Sequence, residues 1–216
     1  MRSLFVQHPD NAMIMKVIII TFFLCASIFS HAQKVSPDLF FDLGETLIHT
    51  DLQNSMTWMK GAENYVSALK GHNYSLGLIV NIPPQWGKTQ QERVDALKSY
   101  VNSAWREARP FPWDWFNVIL VPNRVEERKP SRLLFDHALH LSGSNRVIFQ
   151  GESLKEIETS HKVGFSSFWI GSSEVAEFLP IEMIETFARD RSRGPFTLYR
   201  PSSISFLASL IADAIF

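Results

Sequence analysis

Cysteine is nearly absent from this chain of 216 residues: the one copy, Cys25, lies in an apolar segment near the N-terminus. With no second thiol, an internal disulfide is excluded. An excess of charge of one sign is also absent, because 21 basic and 22 acidic side chains are mixed along the sequence and leave a formal net charge of −1. Nucleic-acid binding needs a basic face and is therefore not expected. A small substrate or a protein partner fits this composition better.

No apolar run in the chain is long enough to span a membrane. The longest, residues 17–29, is below the ~18 residues that a spanning helix needs and has about the length of a signal-peptide core. Lys16 precedes it, and Ser30 and Ala32 supply the small residues of a cleavage site. We expect a secretory signal over residues 1–32, with Met13 or Met15 as alternative starts and an uncleaved membrane anchor as the alternative interpretation.

Removal of this signal leaves a mature chain without cysteine. Export of a cysteine-free domain is typical of a bacterial periplasm, where stray thiols are a liability. We therefore expect the protein in the periplasm, with membrane contact only through the signal segment.

Short apolar runs alternate with longer amphipathic stretches after residue 33, and no internal repeat or low-complexity tract interrupts them. This alternation is typical of βαβ units around a mainly parallel sheet. At this length, one α/β domain over residues 33–216 is expected. The predicted strands are residues 39–41, 75–80, 116–121, 146–150 and 165–170.

Amphipathic patterns predict helices at residues 61–70, from residue 90 onward, at 131–141, at 154–162 and at 204–216. Thr89 and Glu92 form a capping box at the start of the second helix, in which each side chain is expected to bind the other's backbone amide. The residues of that helix expected to face the core are Val94, Leu97, Val101 and Trp105. Prolines between residues 109 and 115 exclude a regular helix there and predict a loop with aromatic contacts.

Polar or turn-forming residues follow four of the predicted strands. Asp42 comes after the first and Asn81 after the second, Lys129 lies beyond the third, and residues 151–156 follow the fourth. An acid at the tip of a buried strand is costly unless it has a role. Open α/β sheets place their ligands beyond the carboxyl ends of the strands, so Asp42 is expected to face a functional site.

The order and spacing of these residues resemble the haloacid dehalogenase superfamily of phosphohydrolases, over about residues 39–170. This resemblance implies a Rossmann-like sheet flanked by helices, with Asp42 as the nucleophile that forms an aspartyl-phosphate and Lys129 as a fixed positive charge. It also implies a Mg²⁺ ion held by an Asp42 oxygen, the backbone carbonyl of Gly44, and the acids Glu152 and Glu156.

Two positions depart from the superfamily's pattern. Gly44 stands where its phosphatases have a second aspartate, the general acid and base, whose proton transfer typically contributes about 10²- to 10⁴-fold. Val80 stands where a Ser or Thr hydroxyl meets the phosphoryl oxygens, and Asn81 is the residue that could donate its amide to the substrate instead. The sequence therefore predicts a Mg²⁺-dependent phosphomonoester hydrolase of low or altered activity.

Two other functions stay open. One is a catalytically degenerate relative that keeps the scaffold as a binding or interaction protein of the periplasm, as the loss at Gly44 and Val80 favours. The other is a dehalogenase, which uses the same aspartate without the second acid or metal, although the missing cap domain argues against it.

Each candidate residue also has a purely structural explanation. Asp42 could cap a turn through its side chain, and Lys129 could be one more solvated charge. Glu152 and Glu156 lie near a predicted helix start, where the helix dipole favours acids without any metal.

No sizeable cap domain fits between the motifs, because only 39 positions separate Asp42 from Asn81. Capless members of the superfamily tend to accept open substrates or rely on a partner to cover the site. We expect either a small phosphorylated substrate or a protein partner over the open site.

Overall fold

The computed structural model describes residues 37–142, 146–171, 177–189 and 194–199, all within one unit of the chain that begins at Ser36. The predicted signal at residues 1–32 and the predicted helix at 204–216 lie outside the described residues. Within the described ranges, no helix is both long and apolar enough to cross a bilayer.

A six-stranded, fully parallel sheet forms the centre of the fold. Its order is β5-β4-β1-β6-β7-β8, so β1 lies in the middle between β4 and β6. The strands, in chain order with a separate two-stranded hairpin as β2 and β3, are β1 Asp38–Phe41, β2 Ile48–Thr50, β3 Met56–Trp58, β4 Ser75–Ile79, β5 Val118–Leu120, β6 Val147–Gly151, β7 Ser166–Trp169 and β8 Thr197–Tyr199.

Helices cover both faces of this sheet. They are α1 Ala62–Gly71, α2 Gln90–Ala104, α3 Leu133–Leu141, α4 Leu154–Val163 and α5 Ile181–Arg189. Alternate residues of a strand point to opposite faces. Leu39 and Phe41 accordingly belong to one core cluster with residues of α1, α2 and α5, whereas Phe40 belongs to a second cluster with residues of α3 and α4. The predicted Rossmann-like α/β architecture is confirmed.

The five strands and the first four helices expected from the sequence are present, with ends shifted by one or two residues. The four inward residues of α2 are buried, as expected. The capping box forms only in part. Thr89 Oγ1 accepts a hydrogen bond from Glu92 N at 3.1 Å, but the Glu92 carboxylate accepts from Lys88 N at 2.7 Å rather than from Thr89.

Three elements were not expected from the sequence: the β2–β3 hairpin, α5 and β8. The hairpin is antiparallel and follows β1 directly. Asp51 Oδ1 stabilises its turn by accepting hydrogen bonds from Gln53 N at 2.9 Å and Ser55 N at 2.8 Å. Among the described residues, the segment between β1 and β4 adds only this hairpin and α1, so it forms no large cap.

Candidate active site

The carboxyl ends of three adjacent strands bring the sequence-predicted residues to one edge of the sheet. Asp42 follows β1, Asn81 lies two residues after β4, and Glu152 follows β6. The backbone amide of Asp42 donates to the carbonyl of Gln150 at 3.0 Å, which continues the ladder between β1 and β6 by one residue. Because these strands are parallel neighbours, their topology alone places the three residues on the same side of the molecule.

A buried ion triad lies at this edge. The Lys129 amine donates to Asp42 Oδ1 at 2.6 Å and to Glu156 Oε2 at 2.7 Å. Only 1% of the Lys129 side chain is exposed, so its charge is neutralised by the two carboxylates rather than by water. The ring of Phe149 adds a cation–π contact, with the amine 5.5 Å from its centroid. The solvated-charge explanation of Lys129 is therefore wrong.

Asn81 holds the backbone that carries this lysine. Its Oδ1 accepts from Lys129 N at 2.7 Å, and its Nδ2 donates to Lys129 O at 2.9 Å. This pair of bonds joins the loop after β4 to the loop after β5. Asn81 is therefore a positioning residue for Lys129, and its expected contact with a substrate phosphate stays a prediction.

The charged groups of the triad shift one another's pKa values. Burial by itself lowers the pKa of the Lys129 amine, but Asp42 and Glu156 outweigh burial and hold that pKa above its ordinary value. Burial raises the pKa of Glu156, and the Lys129 charge opposes this rise only in part. The two carboxylates thus favour the charged form of the lysine.

Glu152 lies beside the triad without joining it. Its Oε2 is buried and has no hydrogen-bond partner, while its backbone carbonyl is fixed by Trp169 Nε1 at 2.6 Å. Burial, together with the nearby charges of Asp42 and Glu156, raises the pKa of Glu152 to about 7. A buried carboxylate oxygen without a partner is the kind of group that a cation or a proton would satisfy.

Gly44 lies in the turn that follows Asp42, and the space around it is open. A Cβ atom added at this position would meet no atom within 4 Å. The neighbouring Glu45 does not replace the missing acid, because its carboxylate is held by the hairpin: it accepts from Thr50 N at 3.0 Å and binds His49 Nδ1 at 3.0 Å. The same contact holds the His49 ring against Glu45.

The acids do not converge as the resemblance implies. Within the described ranges, no group of three or more His, Cys, Asp and Glu side chains is placed to hold a metal ion. The reason is the position of the Lys129 amine, which bridges Asp42 and Glu156. Glu156 therefore contacts the lysine in this structure, and the metal roles of Asp42, Gly44, Glu152 and Glu156 stay predictions.

A cleft of about 350 Å³ begins at the turn after Asp42. It lies between that turn, the β2–β3 hairpin, the loop after β4 and helix α2. The residues that line it are Leu43, Gly44, Ile48, Thr50, Met56, Val80, Asn81, Ile82, Pro83, Trp86, Leu97, Tyr100 and Val101. Sequence reasoning missed this cleft, because its walls come from four separate segments of the chain.

Sequence comparisons assign no family, since no family model and no curated protein matches the chain. Solved structures are similar to it. An uncharacterized protein from Listeria monocytogenes serotype 4b matches at a TM-score of 0.52 and 15% identity, covering 82% of this chain and 99% of that one. This likeness confirms a shared fold and, at such low identity, nothing further.

Two other solved structures are similar at lower scores. A HAD-superfamily hydrolase from Ehrlichia chaffeensis matches at a TM-score of 0.42 and 16% identity, covering 87% of this chain and 80% of that one. A D,D-heptose 1.7-bisphosphate phosphatase from B. bronchiseptica, complexed with magnesium and phosphate, matches at a TM-score of 0.45 and 10% identity. The match covers 82% of this chain and 99% of that one. Scores below 0.5 carry no inference about the activity of this chain.

Proposed function

We propose that this chain is a Mg²⁺-dependent phosphomonoester hydrolase of low activity that works through an aspartyl-phosphate on Asp42. The observation that carries the proposal is the buried contact of 2.6 Å between the Lys129 amine and Asp42 at the carboxyl edge of a parallel sheet. A buried carboxylate and a buried cation at a ligand-binding edge favour a charged, phosphate-like ligand over a purely structural role.

The chemistry follows from the two oxygens of Asp42. Its Oδ1 is held by Lys129, whereas its Oδ2 has no hydrogen-bond partner among the described residues and is the candidate attacking atom. Attack on phosphorus forms an acyl-phosphate bond as the ester oxygen leaves with its electron pair. Water then attacks the same phosphorus, which releases inorganic phosphate and regenerates the carboxylate. Lys129 offsets the negative charge that the phosphate brings beside Asp42.

The proposal places a Mg²⁺ ion beside Asp42 with two carboxylate ligands rather than the three that the resemblance implies, because Glu156 binds Lys129. Hard cations prefer oxygen ligands, and Mg²⁺ is usually bound by one or two carboxylates while keeping several waters. Asp42 and Glu152, with the Gly44 carbonyl, are the residues that would hold it, and the unpartnered Glu152 oxygen favours such a role. When bound, the ion would neutralise phosphoryl charge. Glu156 is better assigned to holding Lys129 than to the metal.

Low activity is expected because, among the described residues, the acid nearest to Gly44 in the chain is not free to replace the missing general acid. Glu45, the nearest acid in the chain, is bound to Thr50 and His49. The leaving oxygen must then take its proton from water, which forfeits about 10²- to 10⁴-fold. This same observation favours the second candidate function, a non-catalytic relative that binds a phosphorylated ligand or a partner protein over the open site. The predicted periplasmic location applies to both candidates.

Hydrolysis of a phosphoester panel by the full-length chain tests the proposal, with Mg²⁺ and with a chelator. We expect slow, Mg²⁺-dependent phosphate release that falls to background in Asp42→Asn and is unchanged in Asp114→Asn, an exposed aspartate outside the site. Equal activity in Asp42→Asn and the wild type would show that Asp42 is not the nucleophile. No Mg²⁺-dependent hydrolysis of any ester in the panel would contradict the hydrolase and favour the non-catalytic candidate, whereas a stable beryllofluoride adduct or a phosphorylated Asp42 would count against that candidate.

A further inference from the structure

The cleft beside Gly44 is lined mainly by apolar surface. Aliphatic and aromatic side chains from the hairpin, the loop after β4 and helix α2 form its walls, and none of its lining residues is charged. The polar side-chain groups of the lining are those of Thr50 and Asn81, the Tyr100 hydroxyl and the Trp86 N–H. A ligand in this cleft therefore gains no ion pair from the walls and loses water where it contacts apolar side chains, which favours an uncharged, largely apolar group.

The cleft begins next to the proposed phosphoryl site. Its lining includes Leu43 and Gly44, the two residues that follow Asp42, and Asn81, which holds the backbone of Lys129. A phosphate bound at Asp42 and Lys129 would thus have its ester group next to the mouth of the cleft. Gly44 contributes no side chain, so the space beside it is open to such an ester group.

One wall of the cleft presents aromatic rings. Trp86 and Tyr100 lie with ring centroids 5.1 Å apart and ring planes inclined by 58°. Tyr100 is 44% exposed, so its ring is accessible to a ligand rather than covered by the core. Aromatic groups pack well on tilted ring pairs of this kind, and an offset ring–ring contact adds to the gain from burial alone.

We propose that this cleft binds the organic group of an aryl phosphate, an uncharged aromatic ring esterified to the phosphate held at Asp42. The assignment rests on the proposed function and names its substrate class. A volume of about 350 Å³ lies at the low end of the ~300–1,000 Å³ range of small-molecule sites, which suits one ring. Sugar phosphates, amino-acid phosphates and nucleotides would place hydroxyls or charges against apolar walls, at a cost in desolvation.

Binding of non-hydrolysable phosphonates tests the assignment without relying on turnover. Phenylphosphonate, methylphosphonate and inorganic phosphate are titrated by calorimetry into the full-length chain with Mg²⁺. We expect phenylphosphonate to bind at least about tenfold more tightly than methylphosphonate, because burying one ring removes much apolar surface from water. Inorganic phosphate should compete with both phosphonates.

Substitutions in the aromatic wall of the cleft test whether it causes the preference for phenylphosphonate over methylphosphonate. Tyr100→Ala should reduce the ratio of the two phosphonate affinities severalfold and leave the affinity for phosphate unchanged. Ser99→Ala, exposed on the same helix and outside the cleft, is the matched control and should keep the wild-type ratio. Trp86→Leu provides a second variant on the same wall, and it should act in the same direction as Tyr100→Ala.

The outcomes separate failure of this inference from failure of the proposed function. Equal affinities for the two phosphonates, both displaced by phosphate, would overturn the aryl-phosphate assignment and leave the phosphohydrolase standing. Phenylphosphonate binding that phosphate does not displace would also overturn it, since the ring site would then be separate from Asp42. Failure of phosphate and both phosphonates to bind with Mg²⁺ would contradict the phosphoryl site itself.

Two sources could supply an aryl phosphate, a small molecule or a tyrosine phosphate in a protein. Phenyl phosphate and N-acetyl-phosphotyrosine amide, compared as substrates, distinguish them because the second carries a peptide backbone on the same ring. Faster turnover of the amide would favour a protein substrate, in keeping with the open site. Faster turnover of phenyl phosphate would favour a small molecule.

Discussion

Lys129 and Asp42 are 87 positions apart in the chain, yet the lysine amine lies 2.6 Å from an Asp42 oxygen and both side chains are largely buried. Only the parallel arrangement of β1, β4, β5 and β6 makes this contact possible, since it brings the ends of distant strands to one edge. Under the proposed function, Lys129 and a Mg²⁺ ion would together offset the negative charge of a phosphate bound beside these carboxylates.

Replacing the lysine should destabilise the fold strongly. Lys129→Met leaves Asp42 and Glu156 buried without their shared cation, and breaking a buried ion pair from one side typically costs about 3–5 kcal/mol. Urea unfolding at pH 7 measures the loss. Lys155→Met, an exposed lysine beside Glu156 in the sequence, is the control and should change the free energy of unfolding by less than about 0.5 kcal/mol. Equal unfolding free energies for the two variants would contradict a stabilising role for the triad.

Local patterns in the sequence were enough to predict the sheet and most helices. The short apolar run before Asp42 predicted a strand, and it forms the central strand β1. Thr89 precedes residues with the apolar spacing of a helix, and its side chain caps the N-terminus of α2. Asp42 was predicted as a site residue from its place after a predicted strand, and Lys129 from the resemblance to the haloacid dehalogenase superfamily; the structure places the two side chains in contact. The strand and helix signals lie within a few residues of each other along the chain, which is why one sequence suffices to detect them.

Long-range pairing could not be predicted in the same way. The bonds of Asn81 to the Lys129 backbone, and the contact of Glu156 with the Lys129 amine, depend on how loops from different strands meet. The sequence assigned Asn81 to the substrate and Glu156 to the metal because residue type alone does not reveal which of several neighbours a side chain will bind. The hairpin after β1 was missed because its strands are only three residues long.

Tyr65 takes part in a hydrogen-bond network that the sequence did not predict, because Tyr65 lies on an apolar face of α1. Its hydroxyl donates to Leu179 O at 2.7 Å and accepts from Gln150 Nε2 at 2.9 Å, while Gln150 Oε1 accepts from Leu179 N at 2.9 Å. Tyr65→Phe leaves a buried amide and a carbonyl without this partner, so we expect a loss of about 1–3 kcal/mol in the free energy of unfolding. Chemical denaturation measures it. Tyr100 is 44% exposed, and its hydroxyl makes no hydrogen bond to the described residues, so Tyr100→Phe should cost less than about 0.5 kcal/mol. An equal loss in both variants would show that the network is not stabilising.

Glu152 should make stability depend on pH. Because the folded state raises the pKa of this carboxyl to about 7 from an ordinary value of 4.5, the folded protein binds its proton more tightly than the unfolded chain does. This contribution to stability is present below about pH 4.5 and is lost as the pH rises through about 7. Without Mg²⁺, the urea midpoint of the wild type should therefore fall relative to Glu152→Gln between pH 5 and pH 8.

Added Mg²⁺ provides a second readout of the same carboxyl. A cation that binds the ionised form stabilises the folded state by mass action, so Mg²⁺ should raise the wild-type midpoint at pH 8 and leave Glu152→Gln much less affected. Parallel pH profiles for the two proteins would show that Glu152 does not titrate in this range. An equal Mg²⁺ response in both would exclude Glu152 as a ligand.

Gly44 is the position at which one substitution should increase activity. Because an added Cβ would meet no atom within 4 Å, Gly44→Asp places a carboxyl in the turn after Asp42 without a steric clash. If a missing proton donor limits turnover, Gly44→Asp should raise kcat for a phosphomonoester by up to about 10²- to 10⁴-fold. Gly44→Asn has the same shape but transfers no proton, so it is the matched control and should stay near the wild-type rate. An increase that appears equally in both variants would point to a change in the turn rather than to acid catalysis. No increase in either variant, in a protein that still binds phosphate with Mg²⁺, would mean that a step other than proton transfer limits the reaction.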